Sequence, residues 1–224
     1  MAILEVRNLN YFYKDGEGKR IIFEKAEASF EQGLFYAILG ESGSGKTTFL
    51  SVIAGQDSRY EGEVLFKGQE IKQIGLDKYR RTGVSMIYQN YNLINNYNAV
   101  DNIKIAMDIS ENVTMINDDE IYSVLEELGI SKEKTRRKST SLSGGEQQRV
   151  AIARSILTDS DIIVADEPTG NLDSNTSDEV MGIFKSLAKE RNKCVIMVTH
   201  NERLAEMCDV IYTLDQENKK IVRS

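Results

Sequence analysis

The sequence predicts an α/β fold with a mostly parallel sheet, an antiparallel β part near the N-terminus and an inserted α-helical subdomain. Three observations carry this. Short apolar runs alternate with stretches of helical period from Phe35 onward and again from Asp161. Four of the runs are apolar throughout their middle, as strands covered on both faces must be. Between the two alternating regions lies a long stretch of helical pattern without a convincing strand.

Taken in order, residues 3–9 and 21–30 read as strands, followed by FYAIL at 35–39. A helix over 46–54 follows that third strand, and GEVLFKG then reads as a hairpin arm. Residues 85–88, 161–166, 194–199 and 209–215 complete the strands. Over 178–190, Val180, Ile183, Phe184 and Leu187 share one helical stripe, with Ser174 upstream as the expected cap. Pro168 is the only proline, so no proline-rich linker divides the chain. The expected organisation is a single domain over 1–224, with a core from 1–97 and 158–224 and a helical subdomain over 98–157.

Composition narrows the function before any motif is weighed. A net charge of −7 argues against non-specific nucleic-acid binding. Two cysteines and one histidine argue against a zinc site or a disulfide scaffold, and Cys194 and Cys208 read as buried, reduced thiols of a cytosolic protein. No apolar run approaches the roughly 18 residues a membrane span needs. MAILEVRNLN lacks the basic-then-apolar layout of a signal peptide. The basic run KTRRK at 134–138 is flanked by Glu126, Glu127 and Glu133, and reads as a solvated face.

Directly after FYAIL comes GESGSGKTT, matching G-x-x-x-x-G-K-[ST] in the strand–loop–helix setting that the pattern requires. Gly40, Gly43 and Gly45 let backbone amides turn inward, and with Glu41, Ser42, Ser44 and Thr48 they make a concavity for phosphate oxygens. Lys46 brings a positive charge for the β- and γ-phosphates, and the Thr47 hydroxyl suits a Mg²⁺ ligand. The core is thus expected to be a P-loop NTPase. IIVADEP ends a strand with adjacent carboxylates, so Asp166 can reach Mg²⁺ while Glu167 orients or deprotonates an attacking water. His200 ends the next apolar strand, at the strand ends where ligands of open α/β sheets gather. An imidazole there can contact the γ-phosphate.

LSGGEQQR at 142–149 places Ser143, Gly144 and Gly145 at the opening of a helix, a second anion-binding terminus. That segment, a short helix before IIVADEP, closely resembles the signature of ATP-binding cassette (ABC) ATPases. The resemblance covers essentially the whole chain, because Lys46, Gln89, Ser143, Asp166, Glu167, Asp173 and His200 stand in the family's order. It implies an ATPase using ATP and Mg²⁺, with Lys46, Gln89, Glu167 and His200 catalytic and Thr47, Gln89 and Asp166 around the metal. It implies a homodimer in which Ser143, Gly144, Gly145 and Glu146 act on the partner's ATP, and in which Asp173 links the two sites. Tyr13 matches the aromatic that stacks on adenine, with Tyr11 the weaker candidate. Tyr91 stands where phenylalanine is common, and Asn96 where proline often follows the glutamine.

The implied partner is a transmembrane permease, with a periplasmic or extracellular adaptor as a further one and no nucleic acid. The implied location is cytoplasmic, on the inner face of the cell membrane. Tyr91, Leu93 and Ile94 are expected on an exposed docking surface. A P-loop kinase or GTPase would leave LSGGEQ and His200 unexplained. A soluble ABC ATPase acting on nucleic acid is the remote alternative, since this chain has one cassette and no sustained heptads between Lys46 and Ser143. LSGGEQQRVAIARS with ADEPTGNLD resembles the group serving lipoprotein release, macrolide or antimicrobial-peptide efflux and cell division. Antimicrobial-peptide or drug efflux is the leading expectation, with lipoprotein release or cell division as the alternative.

Overall fold

The computed structural model describes residues 2–15 and 18–223. The chain opens with β1 (Ala2–Asp15), β2 (Gly18–Glu31) and β3 (Phe35–Leu39), then α1 (Lys46–Ile53), β4 (Glu61–Phe66) and β5 (Gln69–Glu70). Two short helices, α2 (Ile71–Ile74) and α3 (Leu76–Thr82), lead into β6 (Val84–Ile87). Four α-helices follow, α4 (Ala99–Ile109), α5 (Asp118–Glu127), α6 (Lys132–Thr135) and α7 (Gly144–Leu157), with a 3₁₀ turn at Ser139–Ser141 before the last. The chain returns through β7 (Ile162–Asp166), α8 (Ser174–Lys189), β8 (Cys194–Thr199), α9 (Glu202–Ala205), β9 (Val210–Asp215) and β10 (Lys220–Arg223).

Two sheets result. One is antiparallel in the order β2-β1-β4-β5; the other runs β10-β9-β3-β8-β7-β6, parallel from β9 to β6 with β10 antiparallel at the β9 edge. The fully apolar runs are explained by where their side chains go. In β8, Cys194, Ile196 and Val198 enter one hydrophobic cluster, while Val195 and Met197 enter the other. β7 divides the same way, Ile162 and Val164 against Ile163 and Ala165. The first cluster holds α1 between the two sheets: Phe49 meets Phe23 and Phe30 of β2 with ring centroids 5.8 and 6.4 Å apart. Burying a side chain such as Phe49 stabilises by about 1.5–3 kcal/mol. The second cluster joins the other face of the parallel sheet to α4, α5, α7 and α8.

Several expectations shift. β1 runs on to Asp15, so Tyr11 and Tyr13 sit on a paired strand rather than beyond it. α8 starts at Ser174, and its cap is Asp173 instead of Ser174: the Asp173 carboxylate accepts the Asn175 and Thr176 amides at 3.1 Å each. A carboxylate one residue earlier meets the first free amides, which also suit negative charge. Cys194 is buried, but Cys208, past the end of α9, is only half-buried; both are free thiols. In the basic run, Lys134 pairs with Glu146 and Arg137 with Glu133.

Candidate nucleotide site and ATPase centre

The loop after β3 wraps onto the N-terminus of α1. At its end Gly45 adopts φ +99, and a Cβ there would fall 2.5 Å from Ile22 Cγ2, so the turn admits only glycine. No side chain caps α1, which leaves its first amides facing the loop. Lys46 Nζ folds back over the same space, donating to the carbonyls of Gly40 and Glu41 at 2.8 Å each. Ser44 Oγ is buried without a partner. Uncapped amides, an orphaned hydroxyl and an ammonium around one loop fit a polyphosphate, which would satisfy all of them.

Asp166 ends β7 beside this loop, with the Thr47 hydroxyl facing its carboxyl group. Burial first, and the neighbouring Glu167 second, raise its pKa above the ordinary carboxylate value. Two adjacent oxygen donors whose ionised form lacks a full counter-charge fit a hard divalent cation such as Mg²⁺. Glu167 follows in the left-handed region at φ +43, uncommon for a side chain of this size. Its N–H donates to the Val198 carbonyl at 3.1 Å, which pins the bend to β8. The bend turns its carboxylate to His200, whose Nδ1 lies 3.1 Å from Oε1. Glu167 lines both the cleft around Lys46 and Thr47 and the cleft around His200.

Gln89 reaches the same centre from the other side. A Cβ built on Gly170 would lie 3.1 Å from Gln89 Nε2 and 3.7 Å from Glu167 Oε2, so the two side chains flank one glycine. Tyr13 is 39% exposed over the loop, its hydroxyl 2.9 Å from Thr48 Oγ1 and its ring edge-on to Tyr11 at 5.2 Å. Tyr11 is core: its hydroxyl donates to Asp57 at 2.6 Å, and only Tyr13 presents a face. Glu41, Ser42 and Thr48 surround the loop and are exposed or half-buried.

The signature turn is built differently from the phosphate loop. Ser143 Oγ accepts the Glu146 amide, and Glu146 Oε2 accepts the Ser143 amide, a reciprocal cap of α7. The expected second anion-binding terminus is thus already half-occupied by its own side chains. What remains for a ligand is the Ser143 hydroxyl proton and the first helical amides, those of Gly144 and Gly145. Asp173 carries the α8 cap, and its carboxylate also accepts the Thr176 hydroxyl at 2.7 Å.

Two further findings stand against the sequence reading. Tyr91 and Leu93 are half-buried against the helical cluster, leaving Ile94, 44% exposed, as the apolar side chain on the surface. Arg20 and Ile22 line the cleft of Tyr13 and Lys46 and were missed. The signal was the hairpin register pairing Tyr13 with Arg20, which shows only once β1 is followed past Leu9.

The family model described as ABC transporter matches residues 23–170, most of the chain and every element from the phosphate loop to the strand-end carboxylates. This chain belongs to the ABC transporter family. The ABC transporter ATP-binding protein YclH of Bacillus subtilis (strain 168), itself uncharacterized, is 42% identical over 210 residues, 94% of this chain and 92% of that one. The lipoprotein-releasing system ATP-binding protein LolD of Rickettsia bellii (strain RML369-C) is 38% identical over 212 residues, 95% of each. Among solved structures, the dimeric ABC transporter cassette MJ0796 superposes with a TM-score of 0.88 at 31% identity, covering 98% of this chain and 97% of that one. The same cassette in a dimeric post-hydrolysis state holds ADP and Pi and also gives a TM-score of 0.88, at 30% identity over 99% of this chain and 97% of that one. The chain is therefore an ATP-hydrolysing subunit of an ABC transporter. No helix among its described residues is long and apolar enough to cross a membrane.

Proposed function

We propose that this ABC ATPase hydrolyses ATP between two copies of itself to drive a membrane permease whose cargo is lipid-bearing protein. The observation that supports it most is the convergence of Lys46, Thr47, Asp166, Glu167, Gln89 and His200 at the carboxyl ends of parallel strands. The loop amides, Ser44 and Lys46 bind the phosphates, and Tyr13 offers its face to the adenine. Thr47, Asp166 and Gln89 would hold a Mg²⁺, which would supply neutralising charge at the phosphates. Glu167 accepts the proton of the attacking water, so that ADP and inorganic phosphate leave. His200, bonded to Glu167, holds that carboxylate in line and reaches toward the γ-phosphate.

Ser143 supports a site completed by the partner cassette. Its oxygen is committed to the Glu146 amide, but its proton is free to be donated to a phosphate across the dimer. Gly144, Gly145 and Glu146 shape that turn, and Asp173 stands beside it at the start of α8. The permease would dock at the open groove between β6 and α4, lined by Arg80, Arg81, Tyr88, Ile94, Ile105 and Ile109. Ile94 and Ile109 leave 44% and 57% of their surface exposed there, an apolar strip rimmed by arginines. A periplasmic or extracellular adaptor would complete the assembly, and the cassette would sit on the inner face of the membrane.

The lipoprotein reading displaces peptide or drug efflux because the relative that names a cargo, LolD, names lipoproteins. The test is to purify the chain with its native permease, identify that partner by mass, and measure ATP hydrolysis in proteoliposomes. Stimulation by acylated peptide and none by its unacylated form or by antimicrobial peptide is expected. The opposite order returns efflux to first place.

A further inference from the structure

The residues that follow β6 form a strained double turn. Tyr91 and the next residue, Asn92, adopt φ +60 and +50, left-handed values that asparagine takes readily but that a tyrosine keeps only when surrounding contacts hold it there. Arg154 of α7 enforces them: its Nη2 donates to the Tyr91 carbonyl at 3.0 Å and its Nη1 to the Asn92 carbonyl at 2.8 Å. The Tyr91 ring then packs on the helical cluster. Its hydroxyl lies directly over the signature turn, where a Cβ on Gly144 would come within 2.9 Å of the oxygen. The Asn171 side chain faces that same hydroxyl, and its Nδ2 donates to the Gln89 carbonyl at 3.2 Å.

One hydroxyl therefore joins three segments: the Gln89 loop, the turn before α8 and the opening of α7. A phenylalanine here could pack the ring but could not make this junction. One turn along α7 from Gly144, on the same face, Gln148 is fully buried with both amide atoms unpartnered. An unpaired buried amide is costly, so α7 is held here short of its full hydrogen bonding.

We propose that Tyr91 is a positioning residue that transmits the state of Gln89 to Ser143 of the same chain. Rearrangement of Gln89 around a bound γ-phosphate pulls on Asn171 and Tyr91, and the Tyr91 hydroxyl sets Gly144 and hence the Ser143 turn. This rests on the reading that Ser143 completes the partner's nucleotide site, so occupancy of one site would prepare the other.

Tyr91→Phe in the full-length chain keeps the ring and removes the junction. Expected are an unchanged melting temperature and unchanged ATP affinity at protein concentrations too low to dimerise. In the dimer kcat should fall about 5- to 10-fold, the scale of one lost polar contact, and the dependence of rate on ATP should become less sigmoidal. Asn171→Ala added to Tyr91→Phe should cost no more than the worse single change, because both act through one contact. Native kcat in Tyr91→Phe, or losses that multiply in the double variant, would overturn the proposal. Ser143→Arg separates the two readings. If it is inactive while Tyr91→Phe is native-like, the junction alone fails; if it hydrolyses normally, the composite site fails with it.

Discussion

Glu167 sits where two clefts meet, and its substitution by glutamine keeps shape and hydrogen bonding while removing the basic oxygen. Hydrolysis should fall by about 10²–10⁴-fold, the range for a lost general base, while ATP still binds. The variant should thus accumulate as an ATP-bound dimer, visible by size-exclusion chromatography with and without ATP. Near-native turnover would remove Glu167 from catalysis. Lys46→Ala should act one step earlier, because it removes the ammonium that crosses the phosphate loop; equilibrium ATP binding is the measurement. These residues were legible in the sequence because their chemistry is local: loop, lysine and threonine are consecutive, and so are the two carboxylates. Asn171 and Arg20 were not, since each acquires its place only through tertiary neighbours, Gln89 and Tyr13.

Two helix N-termini show how elements of the same kind serve different ends. α1 starts with no side-chain cap and open amides, whereas α7 starts with a closed reciprocal cap. Lys134 reinforces that cap, and together with the Ser143 amide it holds the Glu146 carboxyl below its ordinary pKa. A folded-state pKa below the unfolded one gives stability that is fully present above the unfolded value, about 4.3, and lost as pH falls through the folded value. Glu146→Gln keeps an acceptor for the Ser143 amide but loses the charge facing Lys134, and should lower the melting temperature near neutral pH by about 1–3 °C. The gap between variant and native chain should close as the pH is taken below about 4. A gap that widens in acid would show that the carboxylate is not what stabilises the turn. At this scale the strands of the parallel sheet were readable because each is apolar on both faces. The start of α8 was not, because a turn ending in Asp173 and Ser174 offers two possible caps and only packing chooses between them.

At the scale of the whole molecule, a site split between two chains predicts complementation. Ser143→Arg and Lys46→Ala chains should each be inactive alone, yet recover hydrolysis on mixing, because one composite site of the mixed dimer retains an intact phosphate loop and an intact signature. Failure of the mixture to exceed its components would place both elements in one chain's own site. Coupling to the permease is tested at the groove beside α4, and here the structure chooses the residue. Leu93 packs against the helical cluster, so Leu93→Asp buries a charge within the cassette and should lower its melting temperature by many degrees. Ile94 is 44% exposed, so Ile94→Asp meets only water in the isolated cassette and should leave melting temperature and ATP binding unchanged. Once a permease covers the groove, the same carboxylate loses its water without gaining a partner, a penalty of several kcal/mol that interfaces rarely absorb. Ile94→Asp should therefore lose copurification with the permease while remaining a folded, ATP-binding protein. Retained copurification would move the docking surface away from this groove.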